Sequence, residues 1–154
     1  MTELAKQVIH QLSGKTLATA ESCTGGGIGS ILTSVSGSSA VFKGGIISYT
    51  NEIKMVLLDV PGVILEKYGA VSAPVAEAMA KGARMKLHTD IAVSVTGLAG
   101  PGGDEFGNPV GTVYIGYCDS FRTVSRKFLF DGDRESVRKQ ATEAALRIIL
   151  EFNK

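Results

Sequence analysis

"KTLATAESCTGGGIGSILTSV", residues 15–35, changes character at its centre. The first part, "KTLATAE" (15–21), is short and bounded by glycines, which predicts a strand. The last part, "GGIGSILTSV" (26–35), carries apolar residues at helical spacing despite its glycines, which predicts a helix stopped by "SGSS" (36–39). Between them stand Glu21, Ser22, Cys23 and Thr24, then Gly25, Gly26 and Gly27. Glycine weakens both helices and strands. A run of it beside reactive side chains predicts backbone brought close to something small. Strand, glycine turn and helix in that order is the opening of an α/β unit.

The rest of the chain extends this pattern. Leu4, Val8, Ile9 and Leu12 predict a first helix near 2–13, ended by Gly14. "VFKGGIISY" (41–49) is β-branched and aromatic and predicts a strand, with Gly44 and Gly45 marking a bulge or a close backbone. "TNEIKMVLLDV" (50–60) predicts a helix capped by Thr50 or Asn51 and ended before Pro61. "SAPVAEAMAKGARMKL" (72–87) has the serine and early proline of a helix start, and its inner face is small. "DIAVSVT" (90–96) predicts a buried strand that runs into the glycine-rich loop 97–109. "VGTVYIGYC" (110–118) and "FRTVSRKFLF" (121–130) predict a hairpin, and Asp133 caps a last helix through Phe152. Helices and strands interleave throughout, without a repeat or a linker. The expected fold is α/β: a single layered α/β/α domain over residues 1–154, with a mixed sheet because the hairpin adds an antiparallel pair.

Composition narrows the function classes. The 154 residues fit one domain and suffice for a core without disulfides or metal. Sixteen Lys and Arg against fifteen Asp and Glu leave a net charge of +1. That lacks the basic excess of nucleic-acid or membrane-surface binders, so neither partner is expected. Cys23 and Cys118 form no metal-spaced pair and fit a reducing cytoplasm. "MTELAKQVIHQL" lacks the apolar run and cleavage site of a signal peptide, and no stretch is long and apolar enough to span a bilayer. Glycine stands out: 19 residues are about 12% of the chain, against roughly 7% on average.

The common motifs fail in informative ways. "GGGIGS" ends in Ser30 where a dinucleotide fingerprint needs glycine. Gly14-Lys15-Thr16 imitates the end of a P-loop, but Ile9 occupies the first glycine position. Ser136 and Lys139 give S-x-x-K spacing without a glycine elbow and read as exposed helix residues. Neither H-E-x-x-H nor C-x-x-C occurs, so no metal and no cofactor are expected. His10 and His88 read as surface or edge residues, which leaves a serine triad without its base; lysine can replace histidine in that role. Two glycine-rich loops remain as candidate chemistry, 22–27 and 97–103, each following a strand. The helix start after 22–27 would add the positive end of a dipole for an anion. Lys54 lies one helical turn after Tyr49-Thr50-Asn51, at another strand-to-helix junction.

Six blocks in one order, "TAESCTGG" (19–26), "GGIISYTNEIK" (44–54), "GAVSAPVAEAMA" (69–80), "VTGLAGPGG" (95–103), "PVGTVYIG" (109–116) and "DGDRESVR" (131–138), resemble the CinA C-terminal domain family over nearly the whole chain. That family includes the nicotinamide mononucleotide amidases, also called PncC. The resemblance implies a cytoplasmic bacterial amidohydrolase. It would convert nicotinamide mononucleotide to nicotinic acid mononucleotide and ammonia, in pyridine nucleotide salvage. Family Ser/Lys chemistry maps onto Ser22 and Lys54, with Tyr49 in the same block as Lys54. Thr96 and an arginine of "GDRESVR" complete the implied set. Many relatives carry a further N-terminal domain, whose activities are not expected of this chain.

Read as chemistry, Ser22 would attack the amide carbon while a neutral Lys54 takes its proton. Backbone N–H groups of Cys23, Thr24, Gly25 and Gly26 would hold the oxyanion. Glu21 would orient Lys54 or a substrate hydroxyl, or form a strand-end salt bridge. Tyr49 would assist the leaving amide or stack on the pyridine ring, or fill the core. Cys23 is the weaker nucleophile, expected to be a packed small side chain. Thr96, Gly97, Gly100 and Gly102 offer a second loop. Arg134 and Arg138, four apart on one helix face, would bind the phosphate or lie on a solvated face. The competing function is a non-catalytic nucleotide-binding or competence-related regulatory module. The expected partners are a small-molecule nucleotide and further copies of the chain in a homo-oligomer.

Overall fold

The computed structural model describes residues 1–154. The elements run α1 (Thr2–Gln11), β1 (Leu17–Glu21), α2 (Gly27–Thr33), β2 (Phe42–Ile47), α3 (Asn51–Leu58), α4 (Gly62–Tyr68), α5 (Ala73–Leu87), β3 (Ile91–Gly97), β4 (Thr112–Cys118), β5 (Thr123–Leu129) and α6 (Arg134–Phe152), with a 3₁₀ turn at Ser38–Ala40 before β2. The sheet order is β2-β1-β3-β4-β5. β1 pairs in parallel with β2 and β3, whereas β4 and β5 join antiparallel. The α/β class and the mixed sheet agree with the sequence reading.

Strand alternation sorts the core into two unequal halves. Leu17, Val93, Val95, Val113, Ile115 and Tyr117 turn toward α1, α2 and α6 and build the larger apolar cluster. Ala18, Ala20 and Ala92 face the other way, against Leu58, Leu65, Val75 and Met79 of α3, α4 and α5. The small face lets α5 lie close on the sheet. Ser94 donates to the Ala76 carbonyl at 2.5 Å, and any side chain at Gly116 would run into that same carbonyl.

The differences from expectation are local. The pattern of the sequence predicts neither α4 nor the 3₁₀ turn, although Pro61 and Gly69 bracket α4 as start and stop residues do. β2 ends at Ile47, two residues early, which leaves Tyr49 outside the sheet. Ser72 does not cap α5 through its side chain; it donates to the Gly69 carbonyl instead. The bulge foreseen near Gly44 is present: Leu17 faces Phe42, but Ala18 faces Gly44. The Thr50 and Asp133 caps form, accepting from Ile53 and Ser136 N–H groups.

The topology determines where chemistry can sit. β1, β2 and β3 run parallel, so their carboxyl ends share one edge of the sheet. After β1 the chain passes to α2, which packs with α1 and α6; after β2 it passes to α3, which packs on α5. Neighbouring strands thus send their exits to opposite faces, which opens a crevice at that edge.

Candidate active site

A cleft of about 880 Å³ occupies the crevice. Ser22, Cys23, Tyr49, Lys54, Thr96, Gly97, Gly100, Gly102 and Arg134 all line it. Ser22 is the first residue after β1. Its N–H donates to the Val95 carbonyl at 3.0 Å, extending the β1–β3 pairing one step beyond the strand. It follows Ala18 and Ala20 on the face that looks toward α3. Ser48 is held in the same way from the other side, its N–H on the Glu21 carbonyl at 2.7 Å.

Lys54 reaches this point from α3 and is 1% exposed. Its Nζ lies 3.1 Å from Ser22 Oγ. It also lies 2.8 Å from the Ser48 carbonyl oxygen and 3.4 Å from that of Tyr49. Lys54 enters no salt bridge. Burial therefore acts against its charge unopposed by a carboxylate, and lowers its pKa from the ordinary lysine value to about 8. Burial pushes the Cys23 thiol the other way, up to about 11, so Cys23 is a neutral packed side chain at pH 7.

A neutral amine has two N–H donors and one lone pair. The Ser48 and Tyr49 carbonyls are placed to take the two hydrogens, and the lone pair then faces the Ser22 hydroxyl. Two backbone carbonyls thus orient the amine without supplying a negative charge that would hold it protonated. A backbone acceptor leaves no mark in side-chain spacing, so the part played by Ser48 was not legible.

Several expectations need correction. Glu21 does not touch Lys54, and it forms no salt bridge. Its carboxylate accepts from the Thr24 hydroxyl at 2.7 Å, from Ile28 N–H at 2.9 Å and from Gly29 N–H at 3.0 Å. It thereby occupies the start of α2, the feature that the sequence reading offered to a substrate anion. Thr24, Gly25 and Gly26 follow in the turn after Ser22 and do not line the cleft. The Gly25 N–H is already bonded to the Ser22 carbonyl at 3.0 Å, which leaves the Cys23 amide as the cleft-lining donor of the turn. Thr96 lines the cleft, but its hydroxyl donates to the Ala70 carbonyl at 2.8 Å.

The two arginines of α6 separate in role. Arg134 lines the cleft and bridges two of its walls, donating to the Gly100 carbonyl at 2.8 Å and to Tyr49 Oη at 3.0 Å. Arg138, one turn later, stays outside and bonds the carbonyls of Cys23 and Thr24. Tyr49 is 59% exposed, which excludes the core-filling alternative. Glu66, Asp104 and Phe106 also line the cleft and were not foreseen. They come from α4 and from the loop after β3, whose approach is a matter of packing. No three His, Cys, Asp or Glu side chains converge as metal ligands would. No helix is long and apolar enough to cross a membrane.

Comparison with known proteins agrees with the fold and the block order. The CinA C-terminal domain family matches residues 1–153. A CinA-like protein of Rippkaea orientalis is 52% identical over 149 residues, which is 95% of this chain and 36% of that protein. The chain spans about a third of the length of the curated relatives it matches. A competence/damage inducible protein from Agrobacterium tumefaciens has a crystal structure with TM-score 0.95 and 37% identity, covering 99% of this chain and 95% of that one. The competence damage-inducible protein A of Klebsiella pneumoniae gives TM-score 0.95 and 34% identity, over 97% and 94% of the two chains. The chain belongs to the CinA C-terminal domain family.

Proposed function

We propose that this member of the CinA C-terminal domain family is an amidohydrolase that converts nicotinamide mononucleotide to nicotinic acid mononucleotide and ammonia. The observation that carries the reading is the buried Lys54 amine, 3.1 Å from Ser22 Oγ and unpaired with any acid. An ordinary lysine would be almost wholly charged at pH 7; with a pKa of about 8, roughly a tenth is neutral.

Ser22 Oγ attacks the carboxamide carbon, and its proton passes to Lys54 Nζ. The oxyanion faces the Cys23 amide. Collapse breaks the C–N bond, and Lys54 returns the proton to the leaving ammonia. Water then attacks the acyl-serine with Lys54 again as base, releasing the carboxylate. Arg134 supplies a guanidinium at the cleft for the substrate phosphate. Tyr49, pinned by Arg134, offers an aromatic face to the pyridine ring.

The test is ammonia release from nicotinamide mononucleotide, with nicotinamide and nicotinamide riboside as controls. Deamidation of the mononucleotide far above both controls is expected. Equal release from nicotinamide alone would remove the role of the phosphate, and no release from any of the three would overturn the reading.

A further inference from the structure

α6 touches the nucleophile turn at a point that faces away from the cleft. Arg138 Nε donates to the Cys23 carbonyl at 2.9 Å and Nη2 to the Thr24 carbonyl at 3.4 Å. The guanidinium therefore spans two successive peptides, Cys23–Thr24 and Thr24–Gly25. A planar fork holds two oxygens at a spacing preset by its own geometry, whereas an ammonium presents all its donors from one nitrogen. Arg138 is not among the residues lining the cleft, so it does not reach a ligand there.

The turn is built to receive it. Gly25 has φ +59 and its N–H closes back on the Ser22 carbonyl. A Cβ at Gly25 would stand 3.2 Å from Arg138 Nη2. The glycine thus serves twice, allowing the left-handed turn and leaving room for the guanidinium. Glu21 grips the same turn from its other side, through the Thr24 hydroxyl and the amides of Ile28 and Gly29. One carboxylate holds hydrogens and one guanidinium holds carbonyl oxygens, and the segment between them carries Ser22.

We propose that Arg138 is a positioning residue for Ser22: by fixing the Cys23 and Thr24 carbonyls, it sets the orientation of the Ser22 hydroxyl and of the Cys23 amide. In a trans peptide the C=O and N–H point opposite ways. Anchoring the Thr24 oxygen on α6 therefore directs the Gly25 N–H of the same peptide toward the Ser22 carbonyl, which accepts it at 3.0 Å, and so holds the Ser22–Cys23 peptide that carries the Cys23 amide. Displacement of a nucleophile by about 1 Å can cost on the order of a hundredfold in rate. The proposal rests on the reading of Ser22 as nucleophile.

The test compares Arg138→Gln and Arg138→Lys with the unaltered chain. Two readouts are used: steady-state deamidation of nicotinamide mononucleotide and amide hydrogen exchange across residues 22–26. In Arg138→Gln, kcat should fall about tenfold to a hundredfold while KM changes less than about threefold. Exchange at 22–26 should quicken while the sheet amides keep their protection. Arg138→Lys, which keeps the charge but lacks the planar fork, should recover part of kcat. A raised KM at unchanged kcat would overturn the proposal and make Arg138 a substrate contact. Unchanged exchange at 22–26 would overturn it as well. If the unaltered chain deamidates nothing, the amidase reading fails, and the exchange comparison still decides whether Arg138 holds the turn.

Discussion

Lys54 Nζ and Ser22 Oγ lie 3.1 Å apart although 32 residues separate them in sequence. The contact is buried, and the remaining partners of the amine are backbone carbonyls. Burial is the chief influence on the proton affinity of this amine, and it lowers that affinity. Its consequences differ from those of a histidine base steadied by a carboxylate, because no counter-charge holds the proton on.

Replacing Ser22 with Ala should lower turnover of nicotinamide mononucleotide by about a thousandfold or more while substrate binding persists. Cys23→Ala should keep most activity, because the thiol is buried and its pKa is pushed up to about 11. Steady-state kinetics with calorimetric binding checks both. Normal turnover in Ser22→Ala would remove the nucleophile assignment, and loss in Cys23→Ala alone would move it one residue.

The rate should rise with pH through about 8, as the buried Lys54 loses its proton. Lys54→Arg should be severely defective, because a guanidinium keeps its proton throughout this range. The measurement is kcat/KM from pH 6 to 10 in both proteins. A flat profile in the unaltered chain, or near-normal turnover in Lys54→Arg, would dismiss Lys54 as the base.

The same shift makes a claim about stability. Lys54 titrates near 8 when folded and near its ordinary value of 10.5 when unfolded. Between those values the unfolded chain binds the extra proton, so stability rises with pH. The cost of the buried charge is fully present below the folded value and disappears as pH climbs toward the unfolded one. The slope approaches about 1.4 kcal/mol per pH unit. Lys54→Met lacks this contribution. Urea unfolding at pH 7.5 and 9.5 should show the unaltered chain gaining on the variant, and parallel behaviour would contradict the shift.

Glu21→Gln keeps the size of the side chain but removes the charge that faces the start of α2. One amide oxygen cannot replace two carboxylate oxygens among Thr24, Ile28 and Gly29. A loss of about 2 kcal/mol in unfolding free energy is expected, together with reduced turnover because Ser22 follows directly. Unchanged stability by chemical denaturation would show that the carboxylate is dispensable.

Exhaustive chelation should leave activity intact. The Ser22 and Lys54 pair supplies both nucleophile and base, and no clustered ligands converge. Activity lost on chelation and restored by one divalent ion would reveal a metal requirement.

Much of the fold was legible because it depends on local pattern. Branched residues at 91–95 and the helical spacing of Val137, Ala141, Ala145 and Ile148 appear as elements with those faces buried. α4 escaped because seven residues carry too little periodicity to stand out. Tyr49 reads as strand in the sequence because aromatic character continues past Ile47, whereas pairing with β1 reaches only Ile47 opposite Glu21.

The α/β class, the small inner face of the helix at 72–87, and the serine and lysine at two strand-to-helix junctions are all legible in the linear chain. These are statements about neighbours along the chain, where propensity and periodicity act. Folding in three dimensions is what brings Lys54 to Ser22, sets Glu21 at the start of α2, and puts Arg134 in the cleft while Arg138 grips the turn behind it. Those outcomes depend on sheet order, on which face each helix covers and on the direction of backbone carbonyls. Hydrogen bonding and desolvation act through space, and residues far apart in sequence acquire a shared environment only when the parallel strands bring their carboxyl ends to one edge.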